Sequence, residues 1–191
     1  MGTKADIRRA ARSQWKEFLS GPAEPRLQAA FTRFLEKEIV RKNRSLCLAY
    51  YPVRSEFNVL TALKEAGWRV ALPLVGEGYS LSFHLFLDEG KEILELKPGA
   101  FGIPEPEPSA PTIRPDEEDI LIVPTTAANA DGYRLGKGGG FYDRLIDRDP
   151  YRRMEKWAVL PEKLLDAPFP AEPHDLRLNK IITEERIVTY P

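Results

Sequence analysis

The stretch that decides the fold covers residues 45–53, SLCLAYYPV, and it is apolar almost throughout. A strand with one face in solvent alternates polar and apolar residues, whereas an unbroken apolar run is typical of a strand buried on both faces. Residues 68–74, WRVALPL, and residues 119–124, DILIVP, have the same character. Together the three runs predict the centre of an open, mostly parallel sheet that is covered on both faces.

Helical patterns separate these strands along the chain. Thr3 is a candidate N-cap and Gly21 a stop for the first helix, while Ser55 and Gly67 bracket the third. The predicted helices cover residues 4–19, 27–39, 55–66 and 140–146, with a small one at Leu164 and Leu165, and the remaining strands cover residues 79–85, 157–160 and 179–183. Because strand and helix alternate from residue 45 onward, the sequence predicts one α/β domain over residues 1–191.

Two segments modify this alternation. In residues 79–85, Ser80, Ser82 and His84 alternate with apolar residues, so one face of this strand is expected to be more solvated. Residues 97–115 contain six prolines and two glycines, which excludes a regular helix or a central strand. We call this segment the strap and expect it to form a long ordered loop.

The composition argues against several classes of function. The 191 residues include 28 Lys and Arg against 29 Asp and Glu, a net charge of -1, which argues against a nucleic-acid or anionic-membrane binder. Cys47 is the only cysteine, so neither an intrachain disulfide nor a zinc site of several thiolates is possible, and a reducing compartment is favoured. No run approaches the roughly 20 apolar residues of a membrane helix, and the start shows no apolar signal core. We expect a cytoplasmic monomer or weak dimer without nucleic-acid or membrane partners.

Residues 131–144, DGYRLGKGGGFYDR, are the strongest candidate for a ligand site. They link a buried strand to a helix, and ligands of open α/β sheets bind in such loops at the carboxyl ends of strands. The four glycines at positions 136, 138, 139 and 140 allow positive φ and a close approach to an anion, which the N-terminus of the next helix also favours. Arg134 and Lys137 add mobile positive charge, and Asp143 could hold a cation beside a phosphate. The pattern matches neither a Walker A loop nor the dinucleotide fingerprint, and a flexible solvated loop is the alternative.

Three further side chains are candidates on geometric grounds. Lys4 and Arg8 lie along one border of the apolar stripe of the first helix, so they could reach across a seam into a site. Solvated surface charges are the alternative. Glu56 follows the first buried strand on the expected first turn of the third helix, close to Tyr51. The alternative is a carboxylate that only balances the helix dipole.

Taken together, these segments resemble the 5-formyltetrahydrofolate cyclo-ligase family, also called 5,10-methenyltetrahydrofolate synthetases. The likeness runs over nearly the whole chain, from the Lys4 and Arg8 opening through the strand before Glu56 and GIPEP at residues 102–106 to GYRLGKGGGFYDR at residues 132–144, its most specific motif. It implies a three-layer α/β/α fold similar to the sugar-phosphate isomerase and CoA-transferase superfold. It also implies an ATP- and Mg²⁺-dependent ligase of one-carbon metabolism. Such an enzyme phosphorylates the formyl oxygen of 5-formyltetrahydrofolate and closes its ring, yielding 5,10-methenyltetrahydrofolate, ADP and phosphate.

The resemblance implies roles for individual residues as well. Nucleotide contacts fall on two basic residues of the first helix and on the glycine-rich loop: Lys4, Arg8, Arg134, Leu135, Gly136, Lys137, Gly138, Gly139, Gly140, Phe141 and Tyr142. Folate contacts fall on Tyr51, Glu56, Lys137, Gly138, Gly139, Gly140 and Phe141. Asp143 and Asp175 match the magnesium positions. We expect Lys137 and Arg134 to carry the catalysis, because phosphoryl transfer needs positioning and neutralised charge rather than a covalent nucleophile.

Two other functions stay open at this point. A sugar-phosphate isomerase or CoA-transferase relative would share the α/β pattern and the anion loop, but not the basic pair of the first helix. A non-catalytic nucleotide- or folate-binding protein is the second alternative. It stays open because Asn129 and Asn179 stand where the family commonly has Asp.

Overall fold

A computed structural model describes residues 3–41 and 46–191 of the chain. The helices in these ranges are α1 (Lys4–Leu19), α2 (Glu24–Arg41), α3 (Val59–Glu65) and α4 (Phe141–Leu145), with 3₁₀ turns at Glu77–Tyr79, Ala100–Gly102 and Glu162–Leu164. None of the helices in the described ranges has the length and hydropathy needed to cross a membrane. Ser45, the predicted start of the first strand, lies outside the described residues.

The strands of the described residues form one large sheet and two small ladders. They are β1 (Leu46–Leu48), β2 (Arg69–Val75), β3 (Leu81–Asp88), β4 (Lys91–Glu92), β5 (Lys97–Pro98), β6 (Pro104–Glu105), β7 (Ile120–Ile122), β8 (Ala127–Ala128), β9 (Arg134–Leu135), β10 (Glu155–Val159), β11 (Lys180–Ile182) and β12 (Ile187–Thr189). The large sheet has the order β12-β11-β10-β7-β1-β2-β3-β4. Its run from β11 to β2 is parallel, while β12, β3 and β4 add antiparallel edges. The predicted α/β fold with an open, mostly parallel sheet is confirmed.

The central strands are buried on both faces, as their unbroken apolar runs predict. Every residue of β1 and of β7 is buried. On one face, α2 covers β10, where the Phe34 and Trp157 rings meet edge to face with centroids 4.9 Å apart. Cover on both faces is what the expected three-layer arrangement requires.

The first helix begins and ends where its caps predict. Thr3 and Asp6 form a capping box, in which the Asp6 N–H donates to Thr3 Oγ1 at 3.2 Å and the Thr3 N–H donates to Asp6 Oδ2 at 3.0 Å. Further along α1, the buried Trp15 donates its Nε1–H to the Thr126 carbonyl at 3.0 Å. Because Thr126 lies just beyond the carboxyl end of β7, this bond holds α1 beside the edge of the sheet where ligands are expected.

The third helix starts later than predicted. Asn58, not Ser55, is its N-cap, and Asn58 Oδ1 accepts the Leu60 N–H at 3.1 Å. The helix ends at Glu65, close to the predicted end. The buried face of α3 begins directly after Asn58, and tertiary packing of that face decides between two residues that are both suitable caps. The prediction that Glu56 opens this helix is therefore wrong, because Glu56 lies in the turn before it.

The strap covers the side of β3 that was expected to be solvated. His84 is only 1% exposed, and its Nδ1 lies 2.9 Å from the Ala110 carbonyl of the strap. Thr112 of the strap also forms an isolated bridge with His84. Nor is the strap wholly irregular, since β5 and β6 pair inside it. The alternation of polar and apolar residues in β3 predicted a solvated face. That prediction is wrong because the strap, a later segment of the chain, covers this face.

Sequence patterns missed the shortest strands of the described chain. The ladder of β8 and β9 places Ala127 opposite Leu135, and each of its strands has two residues, too few to show a period. The edge strand β4 also has two residues and was missed for the same reason, and the three-residue edge strand β12 was missed as well. The ladder matters for function because β9 carries Arg134.

Asp119 joins the buried starts of two central strands, and this contact gives a test of the fold. Its Oδ1 accepts the Leu46 N–H and its Oδ2 accepts the Asp116 N–H, both at 2.9 Å. We expect Asp119→Ala to lower the free energy of unfolding by about 2–4 kcal/mol, because both N–H groups lose their acceptor. Chemical denaturation measures the change. The exposed Glu117→Ala should cost less than about 0.5 kcal/mol, and equal losses in both variants would contradict this role.

Candidate active site

The carboxyl ends of the parallel strands converge on one cavity of about 230 Å³. Tyr51 and Glu56 line it from the turn after β1, Val75 from the end of β2 and Pro124 from the residues after β7. The glycine-rich loop and the strap complete the wall. The structure thus brings Tyr51 and Glu56 together with the loop. We call this space the apolar cavity because most of its lining is apolar.

The glycine-rich loop has two glycines that need positive φ. Gly138 has a φ of 100°, and Gly140 has a φ of 68° as the N-cap of α4. Gly136 has another role, because a Cβ there would come 2.6 Å from Nη1 of Arg134. Gly136 and Gly139 do not adopt the positive φ that glycine allows, and a Cβ at Gly139 would press against the Phe141 ring at 3.0 Å.

Arg134 is buried rather than mobile, which corrects the prediction. Its Nη1 donates to the Pro124 carbonyl and its Nη2 to Asp143 Oδ1, both at 2.9 Å. The guanidinium also lies over the Tyr142 ring, 5.7 Å from its centroid. Its Nε is buried and has no hydrogen-bond partner among the described residues. β9 fixes the backbone of Arg134 and α4 supplies Asp143, so the guanidinium ties the two ends of the loop together.

Lys137 turns toward the apolar cavity and pairs with Glu56. The distance from Lys137 Nζ to Glu56 Oε1 is 2.8 Å, and the Glu56 side chain is only 9% exposed. Glu56 Oε2 also accepts the Val53 N–H at 3.0 Å. The alternative of a carboxylate that only balances a helix dipole is excluded for Glu56, since it lies outside the helix and faces a cation.

A second cavity of about 330 Å³ lies on the other side of the same loop. Charged side chains dominate its lining: Lys4, Arg8, Arg134, Asp143, Arg144, Asp147, Glu172, His174 and Asp175. We call it the charged cavity. Arg134, Gly138 and Gly140 line both cavities, so only the loop and this guanidinium separate them.

The two basic residues of α1 reach this second cavity, as their position on the helix border predicts. Arg8 Nε donates to the Gly136 carbonyl at 2.8 Å. Lys4 Nζ lies 2.7 Å from Asp175 Oδ2 and 2.9 Å from Glu172 Oε2. The alternative of solvated surface charges is wrong for both. It holds instead for Arg9, which is largely exposed and pairs only with Asp6 of its own helix.

The Lys4 and Asp175 pair shifts the pKa of both groups. Burial raises the pKa of Asp175, but the hydrogen bonds from Lys4 and from the Glu172 N–H outweigh it, so the pKa lies below its ordinary value. Burial lowers the pKa of Lys4, but its bonds to the two carboxylates outweigh that effect and raise the pKa. Both groups are therefore held in their charged forms at the edge of the charged cavity.

The carboxylates of the charged cavity match what Mg²⁺ requires. The ion prefers oxygen ligands, a few from the protein and the rest from phosphate and water. Asp143 Oδ2 and Asp175 Oδ1 accept no hydrogen bond from the described residues, so each aspartate keeps one oxygen for a ligand. Glu172, His174 and Asp175 also present ligand atoms within 4.8 Å of one another. The donor set fits a magnesium site.

Two aromatic residues that the sequence did not single out, Tyr79 and Phe101, join the predicted contact residue Phe141 at the mouth of the apolar cavity. Phe141 meets Tyr79 and Phe101 edge to face, with centroids 5.2 and 6.1 Å apart. Tyr79 and Phe101 have φ values of 62° and 60°, which non-glycine residues adopt at a cost. Arg144 stacks on Tyr79 at 5.1 Å and donates to the Gly139 carbonyl at 2.8 Å. The only feature of the local sequence that could have indicated these positions is the cluster of glycines beside Tyr79 and Phe101.

Asn129 and Asn179 do not belong to the lining of either cavity. Asn129 Oδ1 accepts the Tyr133 N–H at 2.9 Å, and its Nδ2 donates to the Phe169 carbonyl at 3.3 Å. Asn179 Oδ1 accepts the Lys156 N–H at 2.9 Å and thereby joins β10 to the start of β11. Both amides hold backbone in place.

The fold and the site define an α/β protein that has an apolar and a charged cavity on opposite sides of one glycine-rich loop. The model of the 5-formyltetrahydrofolate cyclo-ligase family matches residues 2–184, and the chain belongs to this family of ligases.

Curated relatives agree with this membership. The 5-formyltetrahydrofolate cyclo-ligase of Mycolicibacterium smegmatis is 37% identical over 152 residues, which cover 75% of each chain. That of Escherichia coli K12 is 30% identical over 130 residues, 68% of this chain and 70% of the relative.

Solved structures agree as well. The 5,10-methenyltetrahydrofolate synthetase of Aquifex aeolicus superposes with a TM-score of 0.76 at 27% identity, covering 97% of this chain and 92% of that one. The synthetase of Mycoplasma pneumoniae has a TM-score of 0.71 at 22% identity, covers 96% of this chain and 99% of that one, and supports the fold.

The depressed pKa of Asp175 predicts a pH dependence of stability. An acid whose folded-state pKa is lowered stabilises the fold above its ordinary pKa, and that contribution disappears as the pH falls through the folded value. We expect Asp175→Asn to lower the free energy of unfolding by about 1–2 kcal/mol near pH 7, with the difference shrinking below about pH 3. Urea denaturation at both pH values measures this. A deficit of the same size at both pH values for Asp175→Asn would contradict the assignment.

Proposed function

We propose that this protein catalyses the ATP-dependent cyclisation of 5-formyltetrahydrofolate to 5,10-methenyltetrahydrofolate, with release of ADP and phosphate. The observation that carries the proposal is the shared loop. An apolar cavity and a charged cavity meet at Arg134, Gly138 and Gly140, so two ligands of different chemistry can react across this boundary. The family membership supports the same reaction.

The apolar cavity is the proposed folate end. An aromatic ring system with a few polar edges fits a largely apolar cavity that has a few polar groups at fixed places. Tyr51 and Glu56 line the cavity beside the backbone of Gly138, Gly139 and Gly140. Lys137, held by Glu56, places its ammonium at this end of the loop.

The charged cavity is the proposed nucleotide end. Phosphates would lie against the loop, where the N-terminus of α4 and the side chains of Lys4, Arg8 and Arg134 provide positive potential. Asp143 and Asp175 would hold Mg²⁺. When bound, the ion supplies positive charge that neutralises phosphate oxygens.

The proposed reaction places the formyl oxygen next to the γ-phosphate. This oxygen attacks the phosphorus and ADP leaves. The neighbouring folate nitrogen N10 then attacks the activated formyl carbon and loses its proton, and the carbon–oxygen bond breaks as phosphate departs. Lys137 and Arg134 would stabilise the charge on the phosphoryl group during transfer. The apolar walls would exclude water, which would otherwise hydrolyse the activated formyl group.

One assay tests the whole proposal. The purified protein is mixed with 5-formyltetrahydrofolate, ATP and Mg²⁺, and the absorbance of the methenyl product is followed. We expect product to form only when all three are present. Binding of both substrates without turnover would favour a non-catalytic protein. Turnover of a sugar phosphate alone would favour an isomerase.

Lys137→Ala tests the catalytic role of the loop. Removing a charge from a preorganised anion site should lower kcat by a factor of about 30–1,000, or about 2–4 kcal/mol. The melting temperature should fall by only a few degrees, because Glu56 loses its cation but keeps the Val53 N–H. Lys163→Ala removes an exposed lysine elsewhere and should leave both quantities unchanged. A wild-type kcat in Lys137→Ala would contradict the role.

Arg8 and Arg9 form a matched pair for testing the nucleotide end. Arg8 contacts the loop, whereas Arg9 pairs with Asp6 on the outer surface. We expect Arg8→Ala to weaken ATP binding about tenfold or more, because a charge-assisted contact is worth about 1.5–3 kcal/mol. Arg9→Ala should bind ATP like the wild type. Isothermal titration of nucleotide into the three proteins measures the affinities, and equal values for both variants would disprove the assignment.

A further inference from the structure

Glu105 is a second carboxylate of the apolar cavity. It lies at the end of β6 in the strap, lines the cavity together with Ile103 and Pro104, and is only 5% exposed. A carboxylate that loses its water needs hydrogen-bond donors or a cation in exchange, or it destabilises the fold. Its surroundings therefore decide whether its role is structural.

No donor of the described residues reaches the Glu105 side chain. Lys97 is its direct partner across the β5 and β6 ladder, the position from which an ion pair is expected. The Lys97 ammonium instead pairs with Glu107, two residues further along the strap. Glu56, the other carboxylate of this cavity, differs in having both a cation and a backbone N–H.

The backbone next to Glu105 is shaped around its side chain. A Cβ on Gly99 would overlap the carboxylate group of Glu105, so only glycine at this position leaves room for it. Gly99 has a φ of -107°, which any residue adopts, so backbone conformation does not explain the glycine. The strap thus holds a carboxylate at the cavity wall without satisfying it.

We propose that Glu105 binds the folate substrate by accepting hydrogen bonds from N–H groups of its reduced ring. This inference rests on the proposed function. The reduced pteridine ring of a folate carries several N–H donors and no cationic group, and an unpaired carboxylate in an apolar wall is the acceptor that such donors bind most strongly. Glu56 is already paired with Lys137, so Glu105 supplies the free acceptor of the folate end.

The test compares E105Q with E107Q. The first variant keeps the shape of the side chain and removes the charge that faces the cavity. The second makes the same change two residues away, where the carboxylate is exposed and paired with Lys97. For the wild type and both variants, the KM for 5-formyltetrahydrofolate, the KM for ATP, kcat and the melting temperature are measured.

We expect E105Q to raise the KM for folate about tenfold, which is about 1.4 kcal/mol, and to leave the KM for ATP unchanged. Its melting temperature should equal or exceed that of the wild type, because the variant removes an unpaired buried carboxylate. E107Q should keep the wild-type KM for folate.

Three results would overturn the proposal: an unchanged KM for folate in E105Q, an equal rise in E107Q, or a lower melting temperature of E105Q together with the higher KM. The last result would assign Glu105 a structural role. If the wild type shows no turnover, the proposed function fails, and titration of 5-formyltetrahydrofolate into the three proteins replaces the KM values. Weaker binding by E105Q alone would then still support the inference. Equal binding by all three proteins, or none by the wild type, would overturn it.

Discussion

The site is organised around one buried cation, the guanidinium of Arg134. It binds the carbonyl of Pro124 after β7 and the carboxylate of Asp143 on α4, so it fixes the glycine-rich loop at both ends. A cation in this position is stable only with nearby acceptors, and Gly136 leaves the space that the guanidinium itself occupies. The two cavities meet at this guanidinium because the loop that it holds is their common wall. The contacts of Arg134 therefore keep the apolar cavity and the charged cavity apart.

The fold could be predicted from the sequence wherever the residues of a segment alone determine the structure of that segment. The three apolar runs predicted β1, β2 and β7, and the N-cap Thr3 predicted the start of α1. Prediction failed where contacts with residues far away along the chain determine the structure. His84 is buried because residues of the strap cover it, and α3 starts at Val59 because its buried face begins there. The local sequence pattern shows neither the burial of His84 nor the start of α3.

The same distinction applies to the candidate site. The border position of Lys4 and Arg8 on α1 correctly placed both toward a cavity, since helix geometry is local and the apolar stripe faces inward. The loop was located correctly, but its electrostatics were not. Arg134 lies in a two-residue strand that no periodicity can reveal, so the sequence could not show that this arginine is buried and paired while Lys137 turns to Glu56. Glu105 belongs to a motif that the sequence displays, yet its lack of a partner emerges only once the strap is folded.

Several local costs in this protein lie around the apolar cavity. Within the described residues, the Nε of Arg134 and the carboxylate of Glu105 have no hydrogen-bond partner, and Tyr79 and Phe101 adopt positive φ at the mouth. Each of these features opposes folding, whereas the side chains of Asn129 and Asn179, away from the cavities, form hydrogen bonds with backbone groups. A ligand can bind a polar group that has no internal partner without displacing one. The free energy of that contact then contributes fully to the binding affinity. The stability that the sheet and its helices gain elsewhere therefore permits a cavity in which the Glu105 carboxylate is left to a ligand, while Glu56 and Lys137 satisfy each other.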